Sequence, residues 1–211
     1  MKVTFKMKFF PLSKENIFVT NDTESFRNRD FLYDTEIPVG NHVGAFAAVR
    51  KHDIHSGVDL YCNESDLVWA IEGGVITKME YFTGDLANSP WWNETKAVHI
   101  EGESGVIVYG EIEPLPKYSV GSKLMGGELI GFVKRVLKSD KGRPTTMLHI
   151  ELYKHGSRTT CEWHLDKTKN PDLLDPTKLL IEVAKHDLKD DIEEDWFKEG
   201  CVRMISFIEK F

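Results

Sequence analysis

The sequence has few of the features that would place it in a membrane or in a disulfide-bonded scaffold. It contains only three cysteines, Cys62, Cys161 and Cys201, an odd number at wide spacing without a CxxC pair. This pattern excludes the disulfide framework of small secreted proteins and predicts free, buried thiols. No apolar run approaches the roughly 20 residues that a membrane-spanning helix needs, and we therefore expect no membrane span.

Positive charge is also in short supply. The 27 lysines and arginines are scattered among 34 acidic residues, and the formal net charge is -7 at pH 7. Without a basic stripe or patch, nucleic acid is not an expected partner. The opening segment, MKVTFKMKFFPLSKEN, interleaves lysines with apolar residues instead of forming the apolar stretch of an export signal. A cytoplasmic location is the default expectation, and a signal removed from the sequence would instead make the protein exported.

From residue 68 onward the pattern is one of short strands separated by glycines and turn residues. Because no helical crossover lies between these runs, they predict an antiparallel sheet folded over on itself. The hydrophobic content of 41% is enough for an ordinary packed core. The predicted strands are Val68 to Ala70, Gly74 to Tyr81, Ala97 to Glu101, Gly105 to Ile112, Glu128 to Val136 and Met147 to Tyr153.

The two ends of the chain differ from this central part. Near the N-terminus, strands are predicted over Lys2 to Phe10 and Ile17 to Thr20, followed by irregular chain. The expected organisation is an N-terminal extension over residues 1–40 that packs on the domain, a β domain over 41–180 and a helical extension over 181–211.

A helix is predicted after Pro176, because four apolar residues recur there at three- and four-residue spacings. A second helix is predicted from Asp191, with acidic residues in its first turn and an end at Gly200. The apolar residues of the first helix are Leu179, Leu180, Val183 and Ala184.

Candidate metal ligands stand in the segment KHDIHSGVDLYC. His55 and Asp59 lie four residues apart around a small Ser56-Gly57 pair, just before an apolar strand. Imidazole and carboxylate groups are both good zinc donors, and a glycine lets the chain turn tightly enough to direct both at one point. Taken alone, this spacing is a weak signal that arises often by chance, and a capped turn carrying a surface histidine is the alternative.

A third candidate ligand lies far downstream, in TTMLHIELY. Strand alternation places Met147, His149 and Glu151 on one face, opposite an apolar face that points to the core. His149 could complete a site of three protein ligands with a fourth position open. A strand histidine that is merely a satisfied polar residue is the alternative, and His52 is expected on a surface loop.

Five segments, in order, resemble the lysostaphin- or LytM-type zinc endopeptidases. HSGVDLYCNESDLVWAIEGGVI is similar to the family's H-x-G-x-D, short loop and V-x-A-x-x-x-G-x-V, and AVHIEGESGVIVYGEI to its strand, turn and Y-x-H-L. VGSKLMGGELIGFV, MLHIELY and DPTKLL are similar to V-x-x-G-x-x-I-G, H-x-H-x-E and D-P-x-x-x-L. The resemblance implies a mainly β fold, an antiparallel barrel-sandwich hybrid (duplicated hybrid motif) with C-terminal helices. It also implies Zn²⁺ ligation by His55, Asp59 and His149.

The sequence departs from the family at its two catalytic histidines. The histidine of Y-x-H-L is replaced by Glu111, and the first histidine of H-x-H by Met147. An imidazole, with a pKa of roughly 6.5, suits proton transfer near neutral pH, and a methionine cannot replace it. Glu111 could act as a general base, as the glutamate of H-E-x-x-H does, or close the site as a fourth ligand. The resemblance also places Tyr109 beside the site, where it could orient a ligand carbonyl or merely pack.

Two adjacent tryptophans, Trp91 and Trp92, lie in an insertion that the resemblance places next to the binding groove. Exposed aromatic side chains often line clefts because they supply large, rigid contact area, so these residues are candidates for binding a peptide or protein ligand. Folding back as a lid or core plug is the alternative.

These patterns lead to a principal function and two alternatives. The principal interpretation is a zinc-binding, metallopeptidase-like domain, catalytically impaired or inactive, with a groove for a peptide or partner protein. The first alternative is an active zinc endopeptidase that uses Glu111 as its general base. The second is a metal-free barrel-sandwich carrier or scaffold, suggested by GGVITKME and VGSKLMGGELIG, although Thr77-Lys78-Met79 does not match a carrier's modifiable lysine.

Overall fold

A computed structural model describes residues 7–23, 33–139, 144–160 and 162–187. Within these ranges the chain forms β-strands, one short 3-10 helix at Asp85–Ala87 and one α-helix, α1, at Thr177–Asp187. The strands are β1 (Asn16–Thr20), β2 (Asp34–Pro38), β3 (Asp53–Ile54), β4 (Val58–Tyr61), β5 (Leu67–Trp69), β6 (Gly74–Thr83), β7 (Thr95–Glu101), β8 (Val106–Pro114), β9 (Lys123–Leu124), β10 (Leu129–Val133), β11 (Met147–Tyr153), β12 (Trp163–His164) and β13 (Leu173–Leu174).

Nine of these strands form one antiparallel sheet, which confirms the predicted mainly β fold class. The sheet runs in the order β13-β11-β8-β7-β6-β9, with β4 also paired to β11 and β10 paired to both β8 and β5. Two small pairs flank it, the parallel pair β1-β2 and the antiparallel pair β12-β3. Because β4 and β13 border β11 on one side and β8 borders it on the other, β11 is an interior strand of the sheet.

Alternation along β11 separates a core face from a site face. Leu148, Ile150 and Leu152 lie in the main apolar core, as predicted. The face that carries His149 and Glu151 is next to a smaller apolar cluster. That cluster contains Ala97, Val106, Val108, Tyr153 and Leu173, against which Phe46, Phe82 and Trp163 pack.

Both ends of the described chain contribute to the main core. Phe10 and Leu12 from the N-terminal segment and Ile37 from β2 are buried in it. The predicted C-terminal helix is confirmed as α1, and it crosses residue 180, where the helical extension was expected to start. Its predicted apolar stripe is buried in the same core, at Leu179, Leu180, Val183 and Ala184.

The predicted strands correspond to β5, β6, β7, β8, β10 and β11, with the bounds of β11 predicted to the residue. Strand β10 ends at Val133 rather than Val136, because the backbone of residues 134–137 bonds instead with Glu111 and Thr145. Ile17 to Thr20 is confirmed within β1, whereas residues 7–10 are not a strand. Residues 2–6 and the predicted helix from Asp191 to Gly200 lie outside the described residues. No helix among the described residues has the length and apolar character to cross a bilayer.

Candidate metal centre

Three donor atoms from two distant segments meet beside β4 and β11. His55 precedes β4, Asp59 lies within it, and His149 is the register partner of Asp59 on β11. The distances are 3.1 Å from His55 Nε2 to Asp59 Oδ1, 2.8 Å from Asp59 Oδ1 to His149 Nδ1 and 3.2 Å from His149 Nδ1 to His55 Nε2. All three residues are buried. The structure therefore brings together the three ligands predicted from the sequence.

The donor set fits a zinc ion. Tetrahedral zinc, bonded to nitrogen and oxygen at about 2.0–2.1 Å, keeps neighbouring donors roughly 3.3 Å apart. The observed separations of 2.8, 3.1 and 3.2 Å require only a small outward movement of the side chains. Two imidazoles and one carboxylate leave a fourth position open. Of the residues that the structure describes, His55, Asp59 and His149 form the group suited to hold a metal.

The loop before β4 fixes the orientation of His55. Nδ1 of His55 donates to the carbonyl of Ala45 at 2.8 Å, so Nε2 is left with its lone pair facing the other donors. Burial lowers the pKa of His55 more than the nearby Asp59 raises it, which favours the neutral ring that a metal requires. The backbone N–H of Asp59 donates to the carbonyl of Gly44 at 2.9 Å. The same loop therefore positions two ligands.

A glycine is needed at position 57 because β4 and β11 pack closely together there. A Cβ atom at this position would lie 2.4 Å from the carbonyl oxygen of Ile150 and 2.8 Å from the ring of His149. Since the nearer atom is backbone, it cannot move aside cheaply. The glycine predicted to allow a tight turn thus has a second role, which is to let β4 approach β11 closely enough for the donors to meet.

A buried carboxylate orients the ring of His149. Oε1 of Glu151 lies 3.2 Å from Nε2 of His149 and accepts a hydrogen bond from Ser56 Oγ at 2.5 Å, while Oε2 accepts one from Tyr153 at 3.0 Å. Burial opposes protonation of His149, but hydrogen bonds to Asp59 and Glu151 raise its pKa to about 10. Binding of a metal ion at Nδ1 would therefore release a proton from His149.

A cationic side chain that the sequence analysis did not identify contacts Asp59. Nη2 of Arg50 donates to Oδ2 of Asp59 at 2.5 Å, and Nε and Nη2 donate to the carbonyl of Val43 at 3.1 and 2.9 Å. Burial alone would raise the pKa of Asp59. The neighbouring His55 and Arg50, with the hydrogen bond from His149, hold that pKa well below its usual value. Asp59 is thus a carboxylate before any metal binds.

Glu111 lies at a bulge in β8. Register partners on β7 and β8 are Val98 with Tyr109 and Lys96 with Ile112, so β8 contains one extra residue at this point. Glu111 has a φ of 65°, in the left-handed region that residues other than glycine seldom adopt. The bulge interrupts the strand alternation in β8. The face of the sheet on which the Glu111 side chain lies therefore does not follow from its position in the sequence.

The carboxyl group of Glu111 is buried beside the ligands. Its Oε2 has no hydrogen-bond partner among the described residues. Burial, reinforced by the charge of Asp59, raises the pKa of Glu111 to about 8, although His149 and Arg50 act in the opposite direction. A buried acceptor without a partner is costly, and it is suited to take a proton or a ligand.

The remaining predicted site residues lie in different surroundings. Tyr109 is in the main core, on the face of its register partner Ile150, and its hydroxyl accepts a hydrogen bond from the N–H of Ile71 at 2.8 Å. This placement does not support a role in orienting a ligand. Met147 is buried at the start of β11, on the face of His149.

The two tryptophans lie in the connection between β6 and β7. Trp91 is 64% exposed, and its ring centroid is 6.3 Å from that of the half-buried Trp92, which forms a backbone bridge with Leu137. Their role in ligand binding remains a prediction. Phe82, in contrast, lies beside one of the candidate ligands, because its ring centroid is 5.4 Å from that of His149. It was not identified in the sequence, where it is one of several apolar residues in β6.

No protein-family model matches the sequence, and no curated protein matches it. Among solved structures, the chain is similar to the catalytic domain of lysostaphin from Staphylococcus simulans, with 16% identity and a TM-score of 0.46 over 77% of this chain and 99% of that one. A proposed glycyl-glycine endopeptidase, LytM, from Ruminococcus gnavus has 16% identity and a TM-score of 0.41 over 75% and 57%. Csd3 of Helicobacter pylori has 17% identity and a TM-score of 0.41 over 87% and 42%. The solved structures that this chain resembles thus include lysostaphin- and LytM-type peptidases, the family that the sequence motifs indicate.

Proposed function

We propose that this chain is a zinc-binding, metallopeptidase-like protein with impaired catalytic activity that binds a peptide or a partner protein beside its metal centre. The observation that carries this proposal is the meeting of His55 Nε2, Asp59 Oδ1 and His149 Nδ1 within 3.2 Å of one another. Zinc bound there would supply a Lewis acid that polarises a peptide carbonyl. The sequence resemblance supports the peptide as the class of ligand.

Impaired activity follows from the residues at the two proton-transfer positions. Glu111 and Met147 stand where the family has imidazoles, and a methionine thioether can neither take up nor donate a proton. General acid–base steps typically contribute 10² to 10⁴-fold to a rate. We therefore expect peptide hydrolysis to be slower by at least that factor than with both imidazoles present.

Catalysis by Glu111 is the second candidate function, and one specific observation favours it. The buried Oε2 of Glu111 lacks a partner among the described residues, and its pKa is raised to about 8, near the range in which general bases operate. In this version the carboxylate of Glu111 accepts the proton of the attacking water. As a fourth metal ligand, Glu111 would instead close the site to substrate.

Metal analysis tests the proposed zinc site. Purified wild-type protein, equilibrated with zinc and then desalted, is expected to contain close to one zinc per chain by elemental analysis, and His149→Ala close to none. His52→Ala is a matched control, because His52 is an exposed histidine three residues from a ligand. Equal zinc contents in wild type and His149→Ala would overturn the proposal. No zinc in either protein would favour the metal-free scaffold.

A peptidase assay distinguishes impaired activity from catalysis by Glu111. Wild type and Glu111→Gln, both loaded with zinc, are incubated with short glycine-rich peptides, and the products are followed by mass spectrometry. Little or no cleavage by either protein is the expected result. Cleavage by the wild type that disappears in Glu111→Gln would contradict impaired activity and establish Glu111 as the base.

A further inference from the structure

The two oxygens of Asp59 are held by different groups. Oδ1 lies 2.8 Å from Nδ1 of His149 and 3.1 Å from Nε2 of His55, inside the donor set. Oδ2 accepts a hydrogen bond from Nη2 of Arg50 at 2.5 Å, outside it. A carboxylate can bind a metal through one oxygen or through both, and here one of the two is already engaged.

Arg50 is itself held in place by the loop that positions the ligands. Its Nε and Nη2 both donate to the carbonyl of Val43, at 3.1 and 2.9 Å. The neighbouring carbonyls of Gly44 and Ala45 accept from the Asp59 backbone and the His55 ring. Three successive carbonyls therefore fix the guanidinium group and two metal ligands relative to one another. The planar guanidinium suits this task because its donors have a rigid arrangement.

We infer that Arg50 is a positioning residue that makes Asp59 a one-oxygen metal ligand and so keeps the fourth coordination position open. This inference rests on the proposed zinc site. A guanidinium on Oδ2 prevents that oxygen from rotating onto the metal, because the rotation would leave a partly buried cation without its carboxylate. It also keeps the buried carboxylate paired before the metal arrives, so that the ligand is already oriented for binding.

Removing the guanidinium should change both the geometry and the affinity of the site. In Arg50→Met, which has an unbranched apolar side chain, Oδ2 is released and can bind the metal, so the coordination number increases. Substitutions of groups that orient metal ligands typically cost 10- to 100-fold in affinity. We therefore expect zinc to bind to Arg50→Met at least about tenfold more weakly than to wild type.

Cobalt substitution and zinc titration together test the inference. The visible absorption of Co²⁺ is stronger at four-coordinate than at five-coordinate sites, and it reports geometry independently of activity. Wild type is expected to show the strong four-coordinate bands, and Arg50→Met weaker bands together with a higher dissociation constant for zinc in competition with a chromogenic chelator. Arg158→Met is the matched control, because Arg158 also pairs with a carboxylate, that of Glu101 at 2.9 Å, on an exposed part of the molecule. It should leave both measurements unchanged.

Two further variants make the test decisive. Arg50→Lys retains a cation that can reach Oδ2 and should keep the four-coordinate spectrum. Arg50→Gln, which can still donate to Val43, replaces Arg50→Met if that variant does not fold, and the same weaker bands and weaker binding are expected from it. Unchanged bands and zinc affinity in the neutral variants would overturn the inference. Absence of zinc binding in the wild type would instead overturn the proposed function on which it rests.

Discussion

The two sides of the candidate site differ in how completely their polar groups are satisfied. On the side of β4 and β11, each ligand has an orienting partner: Ala45 for His55, Arg50 for Asp59 and Glu151 for His149. On the side of β8, the carboxyl of Glu111 is buried with one oxygen unpartnered among the described residues. The ligand side thus presents an ordered set of groups suited to hold a cation, whereas the β8 side contains a buried acid with an oxygen that no described residue satisfies.

This difference indicates how each side of the site should respond to substitution. Orienting partners around metal ligands serve metal binding whether or not catalysis occurs. A strained, unpartnered group such as Glu111 is costly to folding and is usually associated with a functional site. Substitution of the groups that orient the ligands should therefore act mainly through metal affinity, and substitution of Glu111 mainly through stability and its dependence on pH.

The largest combined effect, on stability and on zinc content together, is expected from Gly57→Ala on the ligand side. The added methyl group would lie 2.4 Å from the carbonyl oxygen of Ile150, so β4 and β11 must separate. Overpacking of this kind typically costs 1–3 kcal/mol, and we expect about 3 kcal/mol because the obstacle is backbone. Urea denaturation of the metal-free protein and zinc content measure the two consequences.

Gly73→Ala is a milder comparison for this variant, because a Cβ atom at position 73 would lie 3.2 Å from its nearest neighbour, the carbonyl oxygen of Leu124. A Gly57→Ala protein with the stability and zinc content of wild type would show that the close approach of the strands does not set the site.

A stability difference that depends on pH is expected from Glu111→Gln on the β8 side. The pKa of Glu111 is raised from 4.5 to about 8, so the folded protein retains a proton that the unfolded chain releases. Stability therefore falls as pH rises from 4.5 towards 8, by up to about 1.4 kcal/mol for each pH unit. Metal-free Glu111→Gln lacks this pH-dependent loss of stability, so its free energy of unfolding relative to wild type should increase as pH rises. Denaturant titrations at pH 5 and pH 8 measure this increase.

Glu113→Gln is a suitable reference for this experiment, because Glu113 lies on the same strand and its side chain is 47% exposed. If the stability of Glu111→Gln relative to wild type is the same at both pH values, the carboxyl of Glu111 is not held protonated by burial.

A smaller effect, measured on metal binding, is expected from Glu151→Gln. The change removes the charge that orients His149 through Nε2 but preserves the size of the side chain. Loss of such a partner typically weakens metal binding 10- to 100-fold. Competition with a chromogenic chelator measures the dissociation constant for zinc, and a value within twofold of wild type would show that Glu151 has only a structural role.

Much of the ligand side could be predicted from the sequence because it depends on local patterns. The alternation in Met147–Tyr153 gave the bounds and the faces of β11, and the four-residue spacing of His55 and Asp59 placed both donors at one end of β4. These features require only the geometry of a strand and of a short turn. Gly57 was predicted for its flexibility, although its close contact with β11 could not be foreseen.

The partners of the ligands could not be predicted, because tertiary packing determines them. Arg50 contacts Asp59 because the loop places the carbonyl of Val43 within hydrogen-bonding distance of the guanidinium group. No residue spacing in the sequence indicates this contact. Tyr109 was placed at the site by its motif position, but its pairing with Ile150 puts it on the core face. A bulge at Glu111 also changes the alternation in β8, and a non-glycine residue with positive φ has no signature in the sequence.

Anomalous diffraction from crystals grown with zinc tests the central claim most directly. Data collected above the zinc absorption edge are expected to give one strong peak within bonding distance, about 2.0–2.2 Å, of His55 Nε2, Asp59 Oδ1 and His149 Nδ1. The absence of a peak among these atoms, or a peak bound by other residues instead, would contradict the assignment of this site as a zinc centre.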